Sequence, residues 1–486
     1  MPFTVSRFFA AASLIRARPR ALRKMDKLER KFVFKLDLFI MVYCCLCYFF
    51  NYLDRAAFPN AYVSGMKEDL NLEKNQYSIL LSMFTAGSVV AQIPHSLIIQ
   101  KVPMRIWLPL NLVLWSGITM CSAACKTYSQ LCAVRFLQGA SEAVVYSGSM
   151  YVMGSWYKPS EIAKRAAIFT AVGQIGSMFA GIMMTAMNKS LHSNAGLKGW
   201  QWVFIINGLM AMPVAVFGFL FFPDLPETTT VTYFSDDEIK FAIGRLPPKK
   251  KDTHKIEWRS LLGRVLKQPH IYLLVGLSIF ASMLEAFAFQ GLYLLWLKYN
   301  KSRFNQTAIN SYPLGIQGVA IVSQILAGWF IDSTNKRIPI VILSAALQFV
   351  VAVILLQRNM SDAGVMTAFY LSGTSYMVNP TMYGWASTIC QRAGDDAVRS
   401  VILYAMSMGG LLLYTFWGIV MYPATDVPYW QKGSIAMIVA CAFFVASGFS
   451  VQWLDTKTKV AAAISLDEES DEYNQAQEVT EKAKVG

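Results

Sequence analysis

Five charged side chains stand inside long apolar runs, and these are the residues best placed to do chemistry. Asp54 and Arg55 close the run Asn51-Tyr52-Leu53-Asp54-Arg55. Arg135 and Glu142 bracket a second run, and Glu285 stands alone in a third. A guanidinium binds a carboxylate through two parallel hydrogen bonds. A carboxylate held out of water takes up or releases a proton as its neighbours change. Charges at such depth tend to face the interior of a bundle and to be functional. Arg135 and Glu142 are two helical turns apart, so both point to one side of a helix. Asp54 and Arg55 are adjacent and point about 100° apart, so they serve different targets. Each pair is neutral, which eases burial; static ion pairs that pin one helix to another are the alternative. Tyr52, Gln174, Glu285, Gln290, Asn379 and Trp385 lie in the same kind of run. They either touch cargo or hydrogen-bond neighbouring helices.

Those charges need a scaffold, and composition says which kind. The chain has 486 residues, 55% of them hydrophobic and 15% charged. Crossing roughly 30 Å of hydrocarbon takes about 20 apolar residues in a helix. Stretches of that length recur from Leu38 to Trp453, which makes the chain an all-α polytopic membrane protein. Twelve transmembrane helices are expected: 36–58, 76–100, 106–124, 128–154, 165–188 and 200–222, then 269–297, 308–330, 338–356, 363–389, 397–421 and 428–453. The organisation read from them has five parts. A basic N-tail covers 1–35, a first six-helix half 36–222, and a linker rich in Pro, Lys and Asp 223–268. A second six-helix half covers 269–453, and an acidic C-tail 454–486, expected to be disordered.

An even number of spans puts both tails and the linker on one side, which holds 32 of the 44 Lys and Arg. The positive-inside rule assigns that side to the cytosol. The sequons at Asn188, Asn300, Asn305 and Asn359 then fall in outer loops. The net charge of +14 is accounted for by topology and points to no nucleic acid. The Arg-rich start reads as a cytosolic arm near anionic lipid, with a mitochondrial transit peptide as the alternative. No cleavable signal peptide is evident, so the first span serves as the insertion signal. The Cys are expected as reduced packing residues, and no metal or cofactor is expected. Trp156, Trp200 and Tyr429 are expected as interfacial anchors. No nucleotide-binding loop, zinc-protease motif or nucleophile elbow is present, so the chain is not expected to be an enzyme. The linker is too short for an ATPase domain, so transport would run on ion gradients.

The halves repeat each other. Ser96 to Arg105, with Gln100 and Lys101, follows the second span, and Gly328-Trp329-Phe330-Ile331-Asp332-Ser333-Thr334-Asn335-Lys336-Arg337 follows the eighth, 232 residues on. Glu285 likewise falls opposite Asp54. Both loops resemble the Gly-x-x-x-Asp-Arg-x-Gly-Arg-Arg loop of the major facilitator superfamily. The second keeps Gly328, Asp332, Lys336 and Arg337; the first keeps Arg105 but has Ser96 and Gln100 where Gly and Asp are usual. The resemblance implies two six-helix halves with a site between them and gating loops at Gly328, Asp332, Arg337 and Arg105. Asn-Tyr-Leu-Asp-Arg, with Arg135 and Glu142 in the fourth span, resembles the anion:cation symporter branch. Ala61 to Leu70, Gly154 to Lys158 and Gly199 to Ile205 are similar to the fungal allantoate and vitamin permease group, pantothenate permeases nearest. That resemblance implies proton carriage by Asp54 and Glu142 and anion binding by Arg55 and Arg135. It implies a proton-coupled importer of a small carboxylate, pantothenate first, then biotin or allantoate. An exporter of a secondary metabolite by proton antiport is the other alternative. The working unit is expected to be a monomer in the plasma membrane. Gly139, Gly148, Gly173, Gly176 and Gly181 would allow close helix contact.

Overall fold

The computed structural model describes residues 29–99, 101–191, 194–245, 266, 269–334, 336–392 and 396–485. Among them every regular element is helical. The helices are α1 Val42–Ala61, α2 Gln76–Ile98, α3 Met104–Ser122, α4 Tyr128–Glu142, α5 Val144–Trp156, α6 Pro159–Ser190 and α7 Gly199–Phe221. The linker holds α8 Asp236–Gly244. After it come α9 Pro269–Phe289, α10 Leu292–Tyr299, α11 Gln306–Ser311, α12 Leu314–Thr334, α13 Ile338–Leu356, α14 Asp362–Ser372, α15 Val378–Arg392, α16 Asp396–Val420 and α17 Gln431–Val485.

Among the described residues nine helices are long and apolar enough to cross a bilayer. The other three expected segments are helical as well. The third, α3, carries Arg105, Pro109 and Asn111, which lower its hydropathy. The fourth is broken at Ala143 into α4 and α5, and the tenth at Gly373–Met377 into α14 and α15. These two breaks sit at the same place in the repeat. Large apolar side chains such as Val90, Leu220, Trp329 and Leu412 are more than half exposed on the outside of the bundle, a surface suited to lipid and not to water.

Several expectations need correction. The first helical stretch runs over Glu29–Asp69, well past both ends of the expected 36–58. Pro59 lies inside it, and the chain kinks at Ser64 and Gly65, where Gly65 takes φ +118°. The expected seventh span divides at Gly291, whose φ of +63° starts α10 in a new direction. The acidic tail is not irregular: α17 continues to Val485, since Ala, Glu, Gln and Lys are strong helix formers. Trp156 and Trp200 are buried instead of interfacial; their indole N–H groups donate to the Asp224 carbonyl at 2.9 Å and to Asp69 at 2.6 Å. The Cys are free thiols, as expected. The basic residues before Glu29, linker residues 246–265 and the Asp332 side chain lie outside the described part.

Close packing positions the site. On α4, a Cβ added at Gly139 would stand 1.9 Å from the Phe84 carbonyl of α2. On α2, one at Gly87 would stand 2.1 Å from the Phe136 carbonyl. Glycine at both points lets the two backbones touch, and this sets the Phe84 ring beside Arg135. Gly176 does the same between α6 and α1, where a Cβ would meet the Phe49 carbonyl at 2.3 Å.

Helices before and after the linker meet along one seam. At the end of the bundle away from the linker, hydrogen bonds cross it. Lys298 Nζ reaches Glu68 at 2.8 Å, Tyr77 Oη donates to the Gln290 carbonyl at 2.8 Å, and the Ala424 N–H donates to Asn75 Oδ1 at 3.0 Å. At the linker end, Ser235 caps α8, and Lys35 holds Glu238 at 2.8 Å. Arg245, after α8, bonds Glu161 of α6 at 2.6 Å.

Candidate functional site

Two buried polar chains meet beside the seam. In the first, Asn51 Nδ2 on α1 donates to Glu142 Oε2 on α4 at 2.7 Å, and Arg55 Nε approaches the same oxygen at 3.9 Å. Asn51 and Arg55 are one helical turn apart, so α1 offers Glu142 a donor and a counter-charge from one face. In the second, Arg135 donates to Gln138 Oε1 at 2.9 Å, and Gln138 Nε2 donates to Thr119 on α3 at 3.1 Å. Asp54 accepts from Asn207 Nδ2 on α7 at 2.5 Å and neighbours Thr119 and Arg135.

Arg135 and Glu142 share a helix face but do not pair. Seven residues of helix separate them by about 10 Å of rise, and Arg135 has no ion-pair partner within 4.0 Å among the described residues. Its guanidinium instead lies over the rings of Phe58 at 4.5 Å and Phe84 at 4.7 Å. Arg55 lies over the other side of the site, 5.2 Å from the Phe84 ring and 5.4 Å from Tyr52. Phe84 thus serves both cations. Arg135 is 1% exposed, and its Nε, like Arg55 Nε and Glu142 Oε1, has no hydrogen-bond partner.

Both guanidinium groups line a cavity between the helices before the linker and those after it. Tyr52, Phe84, Asn60, Asn310 and Gln317 also line it. Of the residues on its wall, Arg55 and Arg135 alone carry charge. The cavity is therefore cationic, with its acids held one layer behind.

The other expected site residues fall elsewhere. Glu142 and Asp54 stand behind the arginines. Glu285 on α9 accepts from Asn379 Nδ2 at 2.9 Å, buried in the second half and within electrostatic reach of Arg55. Gln174 is buried on α6 with its Oε1 unpartnered. Trp385 lies apart from the cavity, donating to Asp455 at 3.3 Å under the Arg337 guanidinium. Arg337 also donates to Thr388 at 3.3 Å, Arg105 donates to Thr230 at 2.6 Å, and Gly328 has open space around it. Sequence reasoning missed Asn51 and Gln138 as partners, although their spacings of four from Arg55 and three from Arg135 carry the signal. Phe84, Thr119, Asn207, Asn60, Asn310 and Gln317 gave no such signal.

Comparison with known proteins bears on this arrangement. The model of the Major Facilitator Superfamily matches residues 44–413. The chain belongs to the Major Facilitator Superfamily. It is 35% identical over 467 residues to the pantothenate transporter liz1 of Schizosaccharomyces pombe, covering 95% of this chain and 90% of that protein. It is 33% identical to the pantothenate transporter FEN2 of Saccharomyces cerevisiae, covering 86% and 82%. Among solved structures, a bacterial homologue of the human lysosomal transporter Spinster superposes with a TM-score of 0.60 at 15% identity, covering 87% and 97%. That likeness concerns the fold. The chain is thus a multi-pass membrane transporter of a small molecule and not an enzyme, in keeping with a fold whose two halves enclose a central site.

Proposed function

We propose that this superfamily member is a proton-coupled importer of a small carboxylate, pantothenate first. The observation that carries the reading is a cavity whose wall charges are two guanidinium groups, Arg55 and the fully buried Arg135, the latter without a carboxylate partner among the described residues. Such a wall favours a mono-anion and disfavours a cation. The names of the two yeast relatives point to pantothenate within that class. Arg55, Arg135 and Tyr52 would hold the cargo; Glu142 and Asp54 would carry protons.

One contact supports a route for the coupling. Glu142 shares Arg55 with the cavity. Cargo that draws the Arg55 guanidinium toward its own carboxylate leaves Glu142 without its counter-charge, which favours binding of a proton there. Proton and anion then load together. With both tails in the cytosol, the end sealed by Lys298 and Glu68 is the outer one, and the working unit is a monomer in the plasma membrane.

The test is uptake of labelled pantothenate, biotin and allantoate by cells lacking their own carriers, in acid and in neutral medium. Saturable uptake of pantothenate, faster in acid and lost in Arg135→Ala and Glu142→Gln, is expected. Uptake of biotin or allantoate alone would move the cargo assignment. No uptake of any of them, with the protein at the cell surface, would overturn the import reading in favour of an exporter.

A further inference from the structure

The cavity wall carries amides as well as charges. Besides the arginines, Asn60 on α1, Asn310 on α11 and Gln317 on α12 line its wall, and each is more than nine-tenths buried. A buried amide normally finds partners for both ends, because an unmade hydrogen bond in low dielectric is unfavourable. Each of these three leaves one atom unpartnered: Asn60 Oδ1, Asn310 Nδ2 and Gln317 Oε1.

Local bonding supports the orientation of two of the amides. Asn60 Nδ2 donates to the Ala56 carbonyl at 2.7 Å, which accepts only, so the oxygen is the end left over. Asn310 Oδ1 accepts from Ser64 Oγ at 3.3 Å. That hydroxyl already accepts from Gln306 Nε2 at 2.9 Å, so its own proton is free for Asn310, whose nitrogen is left over. The three amides therefore leave two acceptors and one donor unpaired in the cavity wall, with no charge.

We propose that Asn60, Asn310 and Gln317 form a subsite that reads the uncharged, hydrogen-bonding body of the cargo while the arginines read its carboxylate. The inference rests on the carboxylate reading above and narrows it. The cargo class is a mono-carboxylate bearing hydroxyl or amide groups, and plain aliphatic acids are poor ligands because they leave three buried amide atoms unpaired. Asn310 has a second role in this arrangement. Its oxygen bonds Ser64 across the seam, so cargo that engages its nitrogen is tied to both halves at once.

Binding to the purified transporter, read by thermal stabilisation, tests the subsite without depending on transport or protons. The probes are pantothenate, which carries hydroxyls and an amide, and hexanoate, which carries neither. In the wild type, pantothenate is expected to half-saturate at a concentration at least about 10-fold below hexanoate. Gln317→Met and Asn310→Leu should each raise the pantothenate value about 3- to 10-fold and move the hexanoate value less than about 2-fold. Equal binding of the two acids by the wild type, or equal shifts for both in the variants, would overturn the subsite and leave the carboxylate reading standing. Absence of stabilisation by either acid would overturn both.

Discussion

At the scale of the residue, the site is defined by which charges face the cavity and which stand behind it. Arg135 lies over two rings and has no ion-pair partner within 4.0 Å among the described residues, so its fork is available to an incoming carboxylate. Hydrogen bonds to a charged group contribute about 1.5–3 kcal/mol. Arg135→Ala should weaken cargo binding by roughly 10- to 150-fold, measured as half-saturation of uptake or of thermal stabilisation. Arg135→Lys should fall between, because it keeps the charge and loses the planar fork. Glu142→Gln should behave differently. It preserves the Asn51 contact and removes the titrating group, so binding should survive while the advantage of acid medium over neutral disappears. Retained acid stimulation in that variant would move the proton site to Asp54. The sequence already exposed these charges, since ionisable groups in apolar runs are conspicuous. It placed Arg135 and Glu142 on one helix face and held open ion pairs that pin the first span to the fourth; the contact that forms, Arg55 with Glu142, joins those two spans. Phe84 was invisible because one Phe among many apolar residues looks like its neighbours until two cations are seen on its ring.

At the scale of the element, glycines decide how closely helices approach, and two of them should respond differently to a side chain. Gly139 sits inside the first half, with α4 pressed on α2. Gly139→Val should cost on the order of 1–3 kcal/mol or more through overpacking, seen as a lower melting temperature of the purified protein. Gly181 sits on the seam, where a Cβ would lie 2.5 Å from the Asn310 carbonyl. The halves can part there without unfolding. Gly181→Val should therefore leave the melting temperature nearly unchanged and abolish uptake by holding the far end open. The linker helix α8 gives a pH-dependent case. Burial alone would raise the Glu238 carboxyl, but the bonds from Lys35 and the Ser235 N–H outweigh it and hold the group below its ordinary value. A lowered acid contributes stability that is complete above the ordinary glutamate value and lost as pH falls through the lowered one. Protease nicking of the linker should rise in that acid window, and Lys35→Ala should bring the same sensitivity to neutral pH. Helix positions were legible from runs of about 20 apolar residues. The breaks at Ala143, Gly291 and Gly373–Met377 were not, because hydropathy continues across them and only backbone geometry records the interruption.

At the scale of the whole molecule, the described contacts across the seam concentrate at the end away from the linker. Lys298 with Glu68, Tyr77 with Gln290 and Asn75 with Ala424 each join the two halves there. These polar ties must break in every cycle, and with them the packing of buried apolar side chains from both halves, Tyr62, Tyr77 and Leu294 among them, that share one cluster. Alternating access requires this end to part while the cavity is loaded from it. Holding it shut should stop transport without disturbing the fold. Glu68→Cys with Lys298→Cys, in a background where the exposed Cys121 is replaced by serine, places two thiols where the ion pair now stands. Joining them with a short bifunctional thiol reagent that contains a reducible disulfide should abolish uptake, and reduction should restore it. The single-cysteine variants, treated alike, should keep working, because a surface ion pair contributes only about 0–1 kcal/mol. Uptake that persists in the joined protein would mean that this end does not open during the cycle. The entrance for cargo would then have to lie at the linker end, and the orientation in the membrane assigned from the positive charge of the tails would be reversed.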